Sequence, residues 1–357
     1  MNIRAGDWVE VKSAAEILRT LDGRGEIGAL PFMPEMLKFC GKRLRVVSVA
    51  HKTCDVACKT GGRSMPNALH LEGSYCDGAG HGGCQAACLM FWKTDWVRRV
   101  DPRLPEPVRP VAAAPEVDLS RLEQAAVRYE NGEAIYSCQI TRLFDATKFL
   151  PWWNLTQYVR DVKYRNVSPG RLARVVLLRL LFNLRRLHVG YRAAVALHDW
   201  VHRRVTGRPT PYGQGTIPDG QPTPAAKLDL KAGEWVAIKP LPDIRATLNV
   251  RNSNRGMSFD PEMAQFCGGN FKVARRVEQL LDEKTGRMLT MKSPCIVLDG
   301  VVCSGDYSER RLFCPRQITP YFREVWLSRQ TEAPPQQGAQ ALQPEHSPLT
   351  SRKNQTA

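Results

Sequence analysis

The chain has 357 residues, of which 43% are hydrophobic and 24% are charged, as in ordinary globular proteins, so it is not disordered, collagen-like or coiled coil. It contains no run of about 18 uncharged apolar residues and no apolar core after its charged start, so we expect neither a transmembrane helix nor a secretory signal. A cytoplasmic protein, with peripheral membrane contact as an alternative, is therefore predicted. The formal charge of +16 favours acidic partners: nucleic acid, anionic lipid or an acidic protein.

The chain repeats itself. Residues 6–41 align with residues 233–268 at a constant offset of 227, and fifteen of the 36 positions are identical, where chance gives about two. Both stretches end in the signature Phe-x-Pro-Glu-Met-x-x-Phe-Cys-Gly. The offset is still 227 at Cys76/Cys303 and becomes 230 from Cys84/Cys314 onwards. The sequence therefore predicts an internal duplication of two units of about 95 residues, a typical domain size.

Each unit opens with a β pattern, Gly-x-Trp-Val-x-[Val/Ile]-Lys, at Gly6–Lys12 and Gly233–Lys239. Arg43–Val49 and Asn270–Val277 have the same β-rich, partly alternating character. The opening strand resembles the first strand of small SH3-like barrels of the KOW or Tudor kind, over about seven residues per unit. That resemblance implies an SH3-like barrel in each unit.

The predicted fold class is α+β, with two homologous β-rich units joined by a basic helical segment. Within that segment the patterns predict helices over residues 118–131, 136–150, 171–187 and 191–205. The predicted organisation is a first Cys-rich β-rich unit (1–100), a Pro/Ala linker (101–117), a basic helical domain (118–206), a Pro/Gly linker (207–230), a second Cys-rich β-rich unit (231–329) and a disordered tail (330–357).

The cysteines give the sharpest chemical signal. Ten of the 11 lie in the two units, and three recur at equivalent positions, as Cys40/Cys267, Cys76/Cys303 and Cys84/Cys314. In an intracellular chain such clusters indicate metal rather than disulfides, and tetrahedral zinc takes four thiolate or imidazole ligands. The predicted ligands, for one or two zinc ions per chain, are Cys40, Cys76, Cys84 and Cys88 in the first unit and Cys267, Cys295, Cys303 and Cys314 in the second.

Other interpretations of the cysteines stay open. Cys54, Cys58 and His81 compete for the fourth ligand position in the first unit. The recurrent cysteines are alternatively small buried hydrophobic residues. Cys54-Asp-Val-Ala-Cys58 is the obvious position for a redox or catalytic thiol, whose pKa Lys52 and Lys59 would help to lower.

Two further motifs have weaker signals. His198-Asp-x-x-His202 places two imidazoles one helical turn apart, similar to the HExxH zinc pattern, but Asp199 is shorter than the usual Glu and two arginines follow. A polar helix face is the alternative interpretation. Glu35 and Glu262 follow proline in both units, and we expect them to serve the first turn of a helix rather than acid–base catalysis.

The excess positive charge is local. Residues 165–204 contain nine arginines, no lysine and one acidic residue. In the predicted helix 171–187 the leucines gather on one side and the arginines on the other. This pattern suits a core helix with a solvated basic face, or an amphipathic helix in which Arg171–Arg204 dock to an acidic protein or an anionic membrane surface. Nucleic acid is a further alternative, since Trp152 and Trp153 lie among basic residues.

The sequence therefore predicts an intracellular, metal-stabilised, duplicated module that acts as a non-catalytic adaptor or accessory protein. A metal- or thiol-dependent enzyme with its site in the first unit is one alternative, because that unit has additional Cys and His residues. A nucleic-acid-binding protein is the other. Glycine-rich nucleotide-binding motifs and the Gly-x-Ser-x-Gly motif do not occur.

Overall fold

A computed structural model of the protein describes residues 3–56, 58, 60–103, 120–184 and 191–331. The fold is mixed α and β and contains two curled antiparallel half-barrel sheets, which is compatible with two β-rich units. Most of the predicted linker 101–117 and of the predicted tail 330–357 lies outside the described residues. Within the described residues, no helix has both the length and the apolar character that a membrane span needs.

The first unit is built around a five-stranded antiparallel sheet. Its elements are β1 (Trp8–Val11), α1 (Ala14–Leu18), β2 (Glu26–Ile27), β3 (Leu30–Pro31), a 3-10 helix (Pro34–Phe39), β4 (Arg43–Val49), β5 (Lys52–Asp55), β6 (Gly61–Ser64), β7 (Ala68–Tyr75), β8 (Leu89–Lys93), a 3-10 helix (Thr94–Trp96) and β9 (Val97–Val100). The strand order of the main sheet is β8-β7-β4-β1-β9.

The middle of the chain differs in part from the predicted helices. It contains α2 (Ser120–Ala126), β10 (Val127–Glu130), β11 (Glu133–Tyr136), β12 (Lys148–Leu150), α3 (Thr156–Lys163), α4 (Pro169–Leu184) and α5 (Tyr191–Thr206). The helices predicted over 171–187 and 191–205 are confirmed wherever those residues are described, residues 185–190 lying outside. The helix predicted over 136–150 is wrong, and the one over 118–131 ends at Ala126. A hairpin follows because Asn131 and Gly132 both adopt positive φ, 50° and 80°, as a two-residue hairpin turn requires.

The second unit is built around a four-stranded antiparallel sheet of order β17-β16-β13-β18. Its elements are β13 (Trp235–Ile238), α6 (Leu241–Arg245), β14 (Ser253–Asn254), β15 (Met257–Ser258), α7 (Pro261–Ala264), β16 (Asn270–Leu281), β17 (Met288–Leu298), a 3-10 helix (Glu324–Trp326) and β18 (Leu327–Gln330).

The two units pair their strands at corresponding positions. Three pairs in the first unit have counterparts in the second at the offsets that the sequence gives, 227 or 230. The corresponding pairs are Trp8↔Arg45 and Trp235↔Lys272, Val46↔Leu71 and Val273↔Leu298, and Trp8↔Val100 and Trp235↔Gln330. Because a one-residue slip would turn every side chain to the opposite face, this agreement places equivalent residues on equivalent faces.

Each unit buries an equivalent aromatic pair in its own core. Phe32 and Trp96 pack edge to face with ring centroids 5.2 Å apart, and Phe259 and Trp326 do so at 5.3 Å. Such pairs add about 0.5–1.5 kcal/mol beyond the area that they bury. The first residue of each pair begins the Phe-x-Pro-Glu-Met signature, so the aromatic ring fixes the position of the glutamate three residues later.

Buried polar contacts hold the three parts of the chain together. Asp161 of α3 is fully buried, and its two carboxylate oxygens contact Lys52 Nζ at 2.6 Å and His51 Nε2 at 2.8 Å. Lys52 also donates to the carbonyl of Leu312 in the second unit at 2.8 Å. Burial lowers the pKa of Lys52, and Asp161 opposes that effect. A buried charge needs such partners, so first unit, α3 and second unit are joined at one point.

Gln139 attaches the middle segment to the first unit in the manner of an added strand. Its side-chain oxygen accepts from Phe91 N at 2.8 Å, and its side-chain nitrogen donates to Phe91 O at 2.8 Å. This residue is 2% exposed, and neighbouring Cys138 belongs to the same core. The contact brings a cysteine from outside the two units next to those of the first unit.

Candidate metal centre

Glu35 is the buried carboxylate at the centre of the site. The 3-10 helix that Pro34 opens carries it, and the side chain is fully buried. Its Oε1 accepts hydrogen bonds from Gly80 N at 2.8 Å and from His81 Nδ1 at 2.8 Å. Its Oε2 has no hydrogen-bond partner among the described residues. A buried carboxylate oxygen without a partner is costly, which indicates that a further group belongs there.

His81 links this carboxylate to a cysteine. Its Nδ1 faces Glu35, and its Nε2 lies 3.4 Å from Cys76 Sγ. One ligand atom from each of these three residues lies within 4.8 Å of the other two, and all three residues are buried. Burial lowers the pKa of His81, but contacts with Cys76, Cys84 and Glu35 outweigh it, so the pKa is raised well above its usual value.

The loop that carries His81 depends on glycine. Gly78 has a φ of +76°, and a Cβ there would come within 2.1 Å of the Cys84 carbonyl oxygen. No other residue type fits without moving the backbone. The glycines of Asp77–Gly83 thus allow the chain to turn back so tightly that Cys76 and Cys84 lie on either side of the imidazole.

Cys84 takes part in the same group. Burial raises the pKa of its thiol, but hydrogen bonding to His81 and to backbone N–H groups outweighs that effect, so the pKa is lowered. Its sulfur also accepts from Leu281 N of the second unit at 3.4 Å. A thiol with these partners favours the thiolate form, which is the form that binds metal.

In the second unit the equivalent glutamate has a different set of hydrogen-bond donors. Glu262 is 3% exposed, and its carboxylate is surrounded by donors of the loop that follows Cys303. The donors are Ser304 N (3.1 Å), Ser304 Oγ (2.7 Å), Gly305 N (3.2 Å), Tyr307 N (2.7 Å) and Ser308 Oγ (3.1 Å). Burial raises the pKa of Glu262 despite them. Ser308 is at the position of His81, so this unit has the carboxylate clamp without the imidazole.

A cavity of about 190 Å³ adjoins the first unit's group. Four cysteines and His81 line it, together with apolar side chains and with residues of the second unit. The cysteines are Cys76, Cys84, Cys88 and Cys138. Polar groups are few, and the buried Arg316 pairs with Glu283 at 3.1 Å. A mostly apolar cavity with a few convergent polar groups is typical of a small-molecule site.

The predicted first-unit ligands divide into two groups. Cys76, Cys84 and Cys88 line one cavity, whereas Cys40 is half-buried and packs against the core of its unit. Burial raises the pKa of Cys40 to about 11 and that of Cys88 to about 12. Of the rivals for the fourth position, His81 joins the group, and Cys58 is exposed.

Cys54 pairs with the second unit instead of with Cys58. A hydrogen bond with Cys314 lowers the pKa of Cys54 to about 6, against the burial that raises it. Lys52 is held by Asp161, and Lys59 lies outside the described residues. The thiol predicted at Cys54 is thus buried between the units.

Among the described residues, the four predicted ligands of the second unit have different neighbours and do not form one group. Cys267 packs against the unit's core, Cys295 Sγ contacts Arg323 at 3.5 Å, and Cys314 contacts Cys54. Burial raises the pKa of Cys303. Among the described residues, Glu35, Cys76 and His81 form the one group with metal-binding geometry. Zinc ligation by the second set stays a prediction.

Sequence reasoning missed Glu35 and Cys138 as parts of the site. Glu35 does lie in the first turn of a short helix, as expected, but its carboxylate clamps a loop 45 residues away. The recurrence of this glutamate in both units was the available signal. Cys138 had none, because it lies outside the repeat and reaches the cavity only through the packing of Gln139.

The donor set fits a transition metal in one arrangement. Glu35 and Cys76 contact opposite nitrogens of His81, so an ion would be held by Nε2 and the Cys76 thiolate, with Glu35 accepting from Nδ1–H. Metal-bound histidines commonly donate their other N–H to a carboxylate in this way. Without metal, the same three residues form a carboxylate–imidazole–thiol chain of the kind that can activate a thiol nucleophile. Comparison of the chain with protein-family models, with curated proteins and with solved structures finds no match.

Proposed function

We propose that the protein is a metal-dependent enzyme whose centre lies in the first unit, with zinc as the metal. The observation that carries this proposal is the contact chain from Glu35 through His81 to Cys76, buried beside a cavity. Cys76 and His81 are the primary ligands, and Cys84, which lines the same cavity, is the candidate for a third, so that a fourth position stays open. Soft thiolate and imidazole donors suit zinc.

The cavity favours an enzyme over a non-catalytic adaptor. A purely structural zinc site has four protein ligands, whereas a catalytic one leaves a position open to substrate. Bound there, zinc acts as a Lewis acid or lowers the pKa of a water molecule. Glu35 fixes the His81 tautomer, and the apolar wall excludes bulk water. The substrate class is a small, mostly apolar molecule with one polar group to meet the metal.

The difference between the units supports the same conclusion. We propose that they arose by internal duplication, because identical residues and strand registers coincide at one pair of offsets. In this view both units are variants of an SH3-like barrel. The second unit keeps the glutamate and Cys303 but has Ser308 for His81, so it supports the fold while the first unit holds the metal.

Elemental analysis tests the proposal. Protein purified without added metal should contain about one zinc ion per chain. His81→Ser, which copies the second unit, should lower zinc affinity at least 10-fold, and Ser308→Ala should leave the zinc content unchanged. The free thiols, counted in denaturant with and without chelator, report ligation independently.

Two results would contradict the metal centre. About two zinc ions per chain, both retained in His81→Ser, would return the protein to the adaptor interpretation with two structural sites. A protein without zinc, in which Cys76 is alkylated faster than in the His81→Ser variant, would favour a catalytic thiol instead of a metal centre.

A second candidate function is docking to an anionic membrane surface. The helices α4 and α5 expose large apolar side chains, including Leu180 (59%) and Trp200 (65%). Arg192, Arg203 and Arg204 are exposed on the same hairpin. Apolar groups that enter the acyl boundary beside cations suit anionic lipid. The face predicted as a core face is therefore open to solvent in the described residues.

Vesicle sedimentation tests this docking. Vesicles with phosphatidylserine should retain the protein, and pure phosphatidylcholine should not. Leu180→Ser should weaken retention several-fold, while Leu289→Ser, an exposed leucine of the second unit, should have no effect. Equal retention of both variants, or retention by neither vesicle, would oppose a membrane surface and favour an acidic protein as partner.

A further inference from the structure

A second cavity, of about 210 Å³, lies between the helical hairpin and the second unit. The helices α4 and α5 form one side, the chain after α5 forms the rim, and the loop that Glu262 clamps closes the other side through Tyr307. Its walls differ from those of the metal site, since they carry three arginines, two histidines and two tyrosines. It contains none of the cysteines.

The arginines give this cavity an excess of positive charge. Arg174 forms no hydrogen bond or ion pair among the described residues. Arg208 donates from Nη1 to the carbonyl of Gln265 at 2.5 Å, a contact that leaves its charge uncompensated. Arg179 pairs with Glu309 at 2.8 Å on the exposed side. Two of the three guanidinium groups therefore lack an acidic partner.

The acidic residue in the wall does not compensate them. Asp306 pairs with Arg171, whose Nη2 lies 2.7 Å from Oδ1. Arg171 lies on α4 but not in the cavity wall. Its ion pair therefore neutralises the Asp306 carboxylate without using any of the cavity's own arginines. Asp306 is the one carboxylate among the lining residues, so the wall itself offers an anion cations and no unpaired carboxylate.

His198 and His202, whose spacing is similar to that of the HExxH zinc pattern, are both 1% exposed and face this cavity. His202 Nδ1 donates to the carbonyl of Arg208 at 3.1 Å, so Nε2 accepts from the Tyr307 hydroxyl at 3.3 Å. Asp199 contacts His198 Nδ1 from outside and is not a third ligand within the cavity. Hydroxyl and imidazole groups are thus arranged beside the arginines.

Aromatic rings form the remaining wall. Tyr212 and Tyr307 have ring centroids 6.4 Å apart at an interplanar angle of 76°, and His198 lies 6.0 Å from Tyr212. Val175 and Leu178 contribute apolar surface. A ligand in this cavity therefore meets both guanidinium groups and aromatic rings.

We infer that this cavity binds a small phosphomonoester, with Arg174 and Arg208 contacting the phosphoryl group and the tyrosine rings packing on an apolar or aromatic moiety. Guanidinium groups match the oxygens of phosphate in charge and in planar donor geometry. The volume limits the ligand to a few groups beyond the phosphate. This inference does not depend on the metal centre.

The test is isothermal titration of the full chain at low ionic strength with inorganic phosphate, phenyl phosphate and phenol. Phenyl phosphate should bind saturably and more tightly than inorganic phosphate, and phenol should not bind. Arg174→Gln should weaken phenyl phosphate binding at least 10-fold, because it removes a charge-assisted hydrogen bond to the phosphoryl group. Arg160→Gln, which removes the same charge from the exposed surface of α3, is the matched control.

Each outcome decides the inference. Loss in Arg174→Gln with retention in Arg160→Gln supports it, and Arg208→Gln should behave like Arg174→Gln. Equal weakening in Arg174→Gln and Arg160→Gln, or no saturable binding of either phenyl phosphate or vesicles that contain phosphatidic acid, would overturn it. Vesicles that contain phosphatidic acid distinguish the source of the phosphoryl group. If the protein binds these vesicles but not phenyl phosphate, and the Arg174→Gln variant does not bind them, the phosphoryl group belongs to a lipid headgroup rather than to a free metabolite.

Discussion

The two units place a buried glutamate under a glycine-containing loop in the same way, yet the loops end in different chemistry. Glu35 accepts from one backbone N–H and from His81, and one of its oxygens has no partner among the described residues. Glu262 accepts from three backbone N–H groups and two hydroxyls. The carboxylate therefore holds the loop in both units, and the residue at position 81 or 308 decides whether an imidazole or a hydroxyl lies beside it.

The largest expected effect separates the two glutamates by stability. Glu262→Ala leaves five donors without their acceptor and should lower the free energy of unfolding by about 3–5 kcal/mol. Glu35→Ala leaves two donors and should cost about 2 kcal/mol. Urea unfolding of zinc-free protein measures both. Glu234→Ala, which removes only a surface pair with Arg329, should cost under about 1 kcal/mol. A larger loss in Glu35→Ala than in Glu262→Ala would refute the comparison.

The second prediction uses another position at which the units differ, His70, whose counterpart is Val297. Burial lowers the pKa of His70 to about 4 from its usual 6.5. Between pH 4 and pH 6.5, His70 binds a proton in the unfolded chain but not in the folded protein. The free energy of unfolding is therefore at its full value above pH 6.5 and falls as the pH drops towards 4. The full loss is about 3 kcal/mol.

His70→Val, which copies the second unit, should remove this part of the acid sensitivity. The measurement is the slope of unfolding free energy against pH, because the slope is independent of the packing that the variant also changes. Val297→Ala serves as the control and should shift stability without changing the slope. An unchanged slope in His70→Val would show that His70 has the same pKa in the folded protein as in the unfolded chain.

The smallest effect concerns a position that the units share. Cys40 and Cys267 are both half-buried, and burial raises the pKa of their thiols to about 11 and about 12. We expect Cys40→Ala and Cys267→Ala to cost about 1 kcal/mol each and to leave the zinc content unchanged. Cys76→Ala should release the zinc. Loss of zinc in Cys40→Ala would restore the four-cysteine ligand set.

The sequence was sufficient for features that repeat or that are periodic. The recurrence of Trp8 and Trp235 located the first strand of each unit, and the leucine spacing located α4. Both signals are local, since a strand or helix pattern is written in consecutive residues. The hairpin at Asn131-Gly132 is also locally encoded, but the helix predicted over 118–131 extends across its first strand.

Only part of the candidate site could be predicted from the sequence. Cys76, Cys84 and Cys88 were found because cysteine spacing is visible along the chain, and all three line the cavity. The pairing of Glu35 with His81 spans 46 residues, and Cys54 meets Cys314 across the unit boundary. Such contacts depend on how sheets and units pack, and packing at that distance leaves no pattern in one sequence.

The cavity beside the Glu35–His81–Cys76 group has walls from three parts of the chain: Cys76 from the first unit, Cys138 from the middle segment and Arg316 from the second unit. An isolated first unit would keep its carboxylate, imidazole and thiols but would open them to water. The second unit therefore closes one side of the cavity, and a chain without it would lose the wall that Arg316 and Tyr321 form.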